Sequence, residues 1–314
     1  MITTVTLNAA IDKMYIVNNF ETDRINRVKT MKAQPGGKGN NVAKVAKLLG
    51  SDVTACNFLG GENGSFVHRQ LIDRGIRSDP VWIKDQTRIA LNIMDQVRGT
   101  QTEILEPGPQ IRPDEWLTLK GKIRDLSVKS SVVAFSGSLP RGLPADAYAQ
   151  LIAAVKETGR LTILDTSGPA LSSGINGSPF LCKPNRDELK DLVDRDVEST
   201  REIIAAANSL HQRGVQMVLV SLDKEGSVLI TPNKAWKITP PSIRPVNTVG
   251  CGDSLVAGIA HFLDLHGITD ESSLLESVVW GTAAAASNAL YPIAGHVNDA
   301  EVKRFLPQIQ VAEL

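Results

Sequence analysis

Val132-Val133-Ala134-Phe135 is a four-residue apolar run, and Leu161-Thr162-Ile163-Leu164 and Met217-Val218-Leu219-Val220 repeat its character further along, each bounded by polar or turn residues. Runs this short and this rich in β-branched side chains read as strands buried on both faces. Between such runs the period changes. Val42, Val45, Ala46 and Leu49 recur at helical spacing before Gly50, and Ile203, Ile204 and Leu210 do so between a helix cap expected at Thr200 and Gly214. Strands alternating with helices of this length imply a parallel sheet, because right-handed crossovers deposit helices on both of its faces. The expectation is a three-layer α/β/α core.

Outward from these runs, composition narrows the function. The 314 residues are 42% hydrophobic and 22% charged, enough apolar material for one large core. Lys and Arg total 34 and so do Asp and Glu, so no field of one sign exists to draw nucleic acid or an anionic membrane. Any anion must be bound locally. Cys56, Cys182 and Cys251 are odd in number and far apart, which argues against a disulfide framework and fits a reducing cytoplasm. No run of about 18 apolar residues suggests a membrane span, and the N-terminus lacks a secretory pattern.

Two segments interrupt the strand–helix rhythm, about residues 10–32 and 86–106. In the second, Arg88-Ile89-Ala90-Leu91-Asn92-Ile93-Met94 and Thr102-Glu103-Ile104-Leu105 look like a hairpin turning at Val97-Arg98-Gly99. The segments are expected to pair as a small separate sheet, with an edge hairpin of the main sheet as the alternative. A few-stranded sheet alone in water is marginal, so it needs a ligand or a partner chain against its open face. Pro107-Gly108-Pro109 then leads stiffly back to the core.

The sharpest chemical signal is Asn247-Thr248-Val249-Gly250-Cys251-Gly252-Asp253-Ser254-Leu255-Val256-Ala257-Gly258, a glycine turn running into an apolar helix. Glycines let backbone approach an anion, and the free N–H groups of a first helical turn point at it. Asp253 at that mouth can take a proton from an attacking hydroxyl while the amides hold phosphoryl oxygens. Alternatively, it only caps the helix. A second turn, Pro35-Gly36-Gly37-Lys38-Gly39-Asn40-Asn41, offers the backbone of Gly36 and Gly37 and the amide of Asn41 to sugar hydroxyls, and the charge of Lys38 to a phosphate. Neither a Walker sequence nor a dinucleotide fingerprint occurs. Further polar candidates are Asp12, Arg88, the Ser136-Gly137-Ser138 loop, the Lys183-Pro184-Asn185-Arg186-Asp187-Glu188 loop and Ser221; those loops follow strands, where open α/β sheets bind ligands. Asn185 and Glu188, three apart at a helix start, can orient water on Mg²⁺, or Glu188 is simply a favourable first-turn charge. His261 and His266 point to different sides of one helix and read as structural.

In order along the chain, Thr6-Leu7-Asn8-Ala9-Ala10-Ile11-Asp12, Gly36-Gly37-Lys38-Gly39-Asn40-Asn41-Val42-Ala43, Phe58-Leu59-Gly60-Gly61, Thr87-Arg88, Thr102-Glu103-Ile104-Leu105, Ser136-Gly137-Ser138-Leu139-Pro140, Lys183-Pro184-Asn185 and Gly250-Cys251-Gly252-Asp253 resemble the PfkB branch of the ribokinase-like carbohydrate kinases. The likeness runs over nearly the whole chain and is nearest to the 1-phosphofructokinases and tagatose-6-phosphate kinases, in which a Lys sits in the first glycine turn. It implies a single kinase domain over residues 1–314, a ribokinase-like core with a β-sheet lid, and ATP with Mg²⁺ as phosphoryl donor. By position, Asp253 would be the catalytic base and Gly250, Cys251 and Gly252 the anion hole. Asp12, Gly37 and Asn41 would grip sugar hydroxyls, with Gly36 and Ser138 beside them, and Lys38 and Arg88 would hold the substrate's own phosphate. Lys183, Asn185 and Glu188 would act on the ATP phosphates and, through water, on Mg²⁺; Ser221, Gly226 and Gly252 would line the nucleotide pocket. A homodimer through the lid is also implied.

Three departures from the family pattern stand out. Asn8-Ala9-Ala10 replaces the usual Asn-Pro-Ser, Cys251 replaces an Ala and brings the question of oxidation sensitivity, and Asn40 stands where an apolar residue is usual, suggesting one more polar contact near the substrate. The reading is an ATP-dependent kinase for fructose 1-phosphate or tagatose 6-phosphate. Its alternatives are a kinase for an unphosphorylated sugar or nucleoside, which Lys38 and Arg88 disfavour, and a non-catalytic sugar-phosphate sensor, which the intact Asp253 turn disfavours.

Overall fold

The three β-branched runs become the strands Val132–Ser136, Leu161–Asp165 and Met217–Ser221 of one sheet. The structure, a computed structural model, describes residues 1–314. Parallel pairing continues from Met217–Ser221 through Leu181–Cys182, Leu161–Asp165, Val132–Ser136, Ile2–Thr6 and Val53–Leu59 to the short Arg77–Ser78. Beyond Met217–Ser221 the expected parallel pattern stops. Ser227–Ile230, Ala235–Thr239 and Gln310–Glu313 pair antiparallel. The reason is chain length: the first two are joined by only Thr231–Lys234, too short for a crossover, so a hairpin is the available connection.

Alternation along each central strand divides the core in two. Ile2 joins the side chains of the helices Lys38–Leu48, Cys251–His266 and Glu271–Asn288 on one face, while Val5 joins those of Pro113–Val128, Ala147–Lys156 and Thr200–Gln212 on the other. These are the three layers expected. Each fully buried Leu or Ile contributes about 1.5–3 kcal/mol, so truncating Leu119 or Leu151 to Ala would cost about 2–5 kcal/mol once the cavity is counted. The helix start expected at Thr200 is capped one residue earlier: Ser199 closes a capping box with Glu202, because a hydroxyl outside the first turn reaches its free amides and one inside does not.

The interrupting segments form a separate four-stranded sheet, in the order Thr30–Gly36, Ala10–Val17, Arg88–Asp95, Thr100–Leu105. The hairpin turns where expected, at residues 96–99, and the edge-hairpin alternative is excluded because no strand of this sheet pairs with the main one. The first segment extends past residue 32 to Gly36, so the lid strand runs directly into the glycine turn. That continuity ties the lid to the helix Lys38–Leu48 without a linker. The sheet thus roofs the carboxyl ends of the parallel strands, where Thr6, Ser136, Asp165 and Ser221 end their strands.

Candidate active site

At the end of the lid strand, Gly36 lies flat under Asp12: a Cβ there would stand 1.9 Å from Asp12 Oδ1. The turn needs a residue without a side chain because the acid occupies that space. Gly37 then caps the helix Lys38–Leu48, with its carbonyl accepting from the Asn41 amide at 3.1 Å. Across the cleft, Gly250 adopts φ 82°, and a Cβ on it would meet Ala294 and Gly295 at 3.0 Å. Left-handed backbone and close approach together dictate glycine. Buried Asn288 locks this turn, donating to the Val249 carbonyl at 3.0 Å and accepting from the Gly295 amide at 2.9 Å.

In the first turn of the helix Cys251–His266, the Cys251 amide donates to Thr248 at 3.2 Å and Ser254 donates to Gly250 at 2.9 Å. The Gly252 and Asp253 amides are left as its uncommitted donors, facing the cleft with the positive end of the helix dipole. Asp253 is buried, and the Asn41 side-chain amide donates to its Oδ2 at 2.7 Å. Burial raises the Asp253 pKa above the ordinary carboxylate value; Lys38 and that hydrogen bond hold it back, while Asp165 adds to the rise.

A cleft of about 760 Å³ collects Asp12, Gly37, Lys38, Asn41, Arg88, Ser138, Gly250, Gly252 and Asp253, residues drawn from five distant parts of the chain. Burial pushes the Asp12 carboxyl up to about 6, against the nearby charges of Lys44 and Arg88. Arg88 spends part of its guanidinium on the carbonyls of Glu106, at 3.1 Å, and Asn8, at 3.4 Å, while its Nε has no partner. Ser138 accepts from Asn8 Nδ2 at 3.0 Å. The Lys38 side chain, 44% exposed, reaches Asp165 at 3.5 Å, and that carboxylate raises its pKa.

The other candidates stand outside this cleft. Lys183 pairs with Asp165 at 3.1 Å and lies against Gly252, its Nζ 3.5 Å from where a Cβ would be. Asn185 and Glu188 form a capping box on the helix Arg186–Val193, Oδ1 accepting at 2.7 Å and Oε2 at 2.8 Å, which leaves Asn185 Nδ2 and Glu188 Oε1 for solvent or ligand. No group of three or more His, Cys, Asp or Glu is assembled to hold a metal directly. Ser221 bridges to Asn185, so the nucleotide candidates are contiguous along the neighbouring strand ends. Gly226 has φ 90°, and a Cβ on it would be 2.1 Å from the Ile238 carbonyl, a backbone reason sufficient by itself.

Two departures resolve differently from expectation. Asn40 is fully buried and donates to the Gly36 carbonyl at 2.7 Å, bracing the turn from beneath instead of touching substrate, because its position on the helix points into the core. Cys251 turns its thiol to the Ala285 carbonyl and Asn288, and burial raises its pKa, which suppresses the reactive thiolate. Sequence reasoning missed Asp165, Asn288 and Lys44. Asp165 had a signal, an acid closing a parallel strand; Asn288 and Lys44 sit within helices and had none.

Uncommitted amides at a helix mouth, a buried acid beside them and cationic side chains beneath a separate sheet are the means of phosphoryl transfer to a small hydroxylic acceptor. The chain belongs to the pfkB family carbohydrate kinases, whose description matches residues 5–300. It is 38% identical to a tagatose-6-phosphate kinase of Staphylococcus epidermidis, over all of both chains, and 37% identical to a 1-phosphofructokinase of Borreliella burgdorferi, over all of this chain and 99% of that one. The solved Escherichia coli phosphofructokinase-2 in complex with fructose-6-phosphate superposes with a TM-score of 0.89 at 28% identity, covering 98% of each chain.

Proposed function

We propose that this protein, acting as one kinase domain with a lid, transfers the γ-phosphoryl group of ATP to a primary hydroxyl of a ketohexose phosphate, tagatose 6-phosphate or fructose 1-phosphate. The products are the ketohexose bisphosphate and ADP. The observation that carries this reading is the shared cleft: Asp253 and Asn41 stand in one cavity with Asp12, Lys38 and Arg88, so a proton acceptor, hydroxyl ligands and phosphate ligands converge. The names borne by the relatives, tagatose-6-phosphate kinase and 1-phosphofructokinase, support the phosphorylated acceptor.

In this mechanism Asp12 and Asn41 orient the sugar, and Arg88 takes the phosphate it already carries. Lys38, on the Asp165 side of the cleft, serves that phosphate and the transferring group alike. The acceptor oxygen attacks the γ-phosphorus, the bond to the ADP oxygen breaks, and the hydroxyl proton passes to Asp253 Oδ. The Gly252 and Asp253 amides hold the equatorial oxygens as charge spreads over them. Lys183, Asn185 and Glu188, with Ser221 and Gly226 beyond, offer the donor phosphates a charge and Mg²⁺ a place through water, where the ion would neutralise phosphate charge. The lid excludes water that would otherwise accept the phosphoryl group. Half-exposed Met31 and Ile104 on the lid support a homodimer through that sheet, and three unpaired cysteines fit a cytoplasmic setting.

An ADP-release assay across a panel of ketose phosphates, free ketoses and nucleosides tests the activity. Turnover confined to free sugars or nucleosides, or absent altogether, would refute the reading. Asp253→Asn tests the mechanism: turnover should fall by about 10³-fold or more, with ATP affinity within about threefold of the parent.

A further inference from the structure

Asp165 is 1% exposed, at the carboxyl end of the strand Leu161–Asp165. Lys183 approaches its Oδ1 at 3.1 Å, and Lys38, which lines the cleft, approaches the same oxygen at 3.5 Å. A carboxylate buried for stability alone collects amide and hydroxyl donors, since each unsatisfied lone pair in the interior costs free energy. This one collects none, and neither oxygen has a well-aligned donor. Its two ammonium partners make ion pairs off the hydrogen-bond line and spring from separate elements, the substrate turn and the loop after Leu181–Cys182.

The backbone around Asp165 is rigid. Its carbonyl accepts from the Gly137 amide at 3.0 Å, and the Gly137 carbonyl is held by Tyr148 at 2.7 Å and Thr166 at 2.8 Å. The acid is therefore a fixed point to which two flexible side chains are tied.

We propose that Asp165 is a positioning residue for the transfer, holding Lys38 and Lys183 as a charged pair astride the mouth of the Asp253 helix. This rests on the kinase reading above. Without the acid, two like charges would face each other across one narrow gap and splay apart. With it, they stand where the phosphate charges of both substrates arrive, Lys38 in the cleft and Lys183 against Gly252. Asp165 also lies close enough to Asp253 to favour that acid's protonated form, together with burial and against Lys38, Lys183 and the Asn41 amide.

Asp165→Asn keeps the shape and removes the charge. The expected result is a fall in kcat of about 10²-fold, with KM for the phosphosugar and for ATP rising together, because the lysines serve both. The acid limb of the pH–rate profile should also move to lower pH, since Asp253 loses a negative neighbour. Kinetics within about twofold of the parent, or an unmoved acid limb, would overturn the proposal. Lys183→Met alone and combined with Asp165→Asn provides a second test, in a background with one fewer buried charge that keeps the comparison available if the single variant fails to fold. There, adding Asp165→Asn should cost less than about tenfold, because one of its two targets is gone; a further loss of about 10²-fold would mean Asp165 acts otherwise and would overturn it. No turnover by the parent on any phosphosugar would sink the kinase reading itself, whereas parent turnover with unaltered variants sinks only this role.

Discussion

Replacing Asp12 by Asn should make the protein more stable at neutral pH while crippling it as an enzyme. Burial lifts the Asp12 pKa from 3.8 to about 6, so the folded chain pays for an ionised acid that the unfolded chain carries freely. The difference, about two pKa units at 1.36 kcal/mol each, is ~3 kcal/mol; the side chain retains partial solvent contact, which reduces this to ~1.5 kcal/mol. The cost is absent below the ordinary value of 3.8, grows as pH rises, and is complete above about 6. Asn mimics the protonated acid and escapes it. For a chain of this size ~1.5 kcal/mol corresponds to a melting-temperature gain of ~3 °C at pH 8, shrinking towards zero near pH 4. Thermal unfolding followed by circular dichroism from pH 4 to 8 measures this. A variant less stable than the parent at pH 8, or a gain that does not change with pH, would refute the reasoning. In the same preparation KM for the phosphosugar should rise at least about tenfold, since the ionised acid accepts sugar hydroxyls more strongly than an amide does.

Arg88→Ala should raise KM for the phosphosugar about 10–100-fold, the worth of a charged hydrogen bond, and leave KM for ATP within about threefold; equal effects on both would remove Arg88 from the substrate phosphate. Gly250→Ala forces a left-handed Ala against Ala294 and Gly295, so the melting temperature should fall by an amount equivalent to at least about 1–2 kcal/mol and kcat at least about tenfold, read by calorimetry and steady-state kinetics. Cys251→Ala should keep kcat within about threefold, because its thiol turns to the Ala285 carbonyl and Asn288 and its amide is bound to Thr248, and should inactivate in peroxide at the parent's rate; a protected variant would show the half-buried thiol to be reactive after all.

The parallel core was legible because β-branched runs of four or five residues cannot be read as anything longer, and the helical spacing of Val42, Val45 and Ala46 is its complement. The lid hairpin was legible from its alternation and from Gly99. The antiparallel margin was not, since Ser227–Ile230 and Ala235–Thr239 look like any buried strand and only the brevity of their connection reveals the reversal. Asn40 misled because a polar residue beside a glycine turn has two faces available, and only the helix phase decides which faces the core. Asp165 was overlooked because its partners, Lys38 and Lys183, are each more than a dozen residues away in sequence.

By itself the sequence determined the strand–helix alternation, the two glycine turns and the acid that follows the second, all of which are local: backbone freedom, side-chain period and helix-end amides act within a few residues. What only the tertiary structure decided is which charges meet. Asp12, Lys38, Arg88 and Asp253 become neighbours, with Asp165 against Lys38, because strand ends, two glycine turns and a separate sheet converge on one cleft, and their altered acidities arise there, since burial and Coulomb fields depend on distance through space and not along the chain.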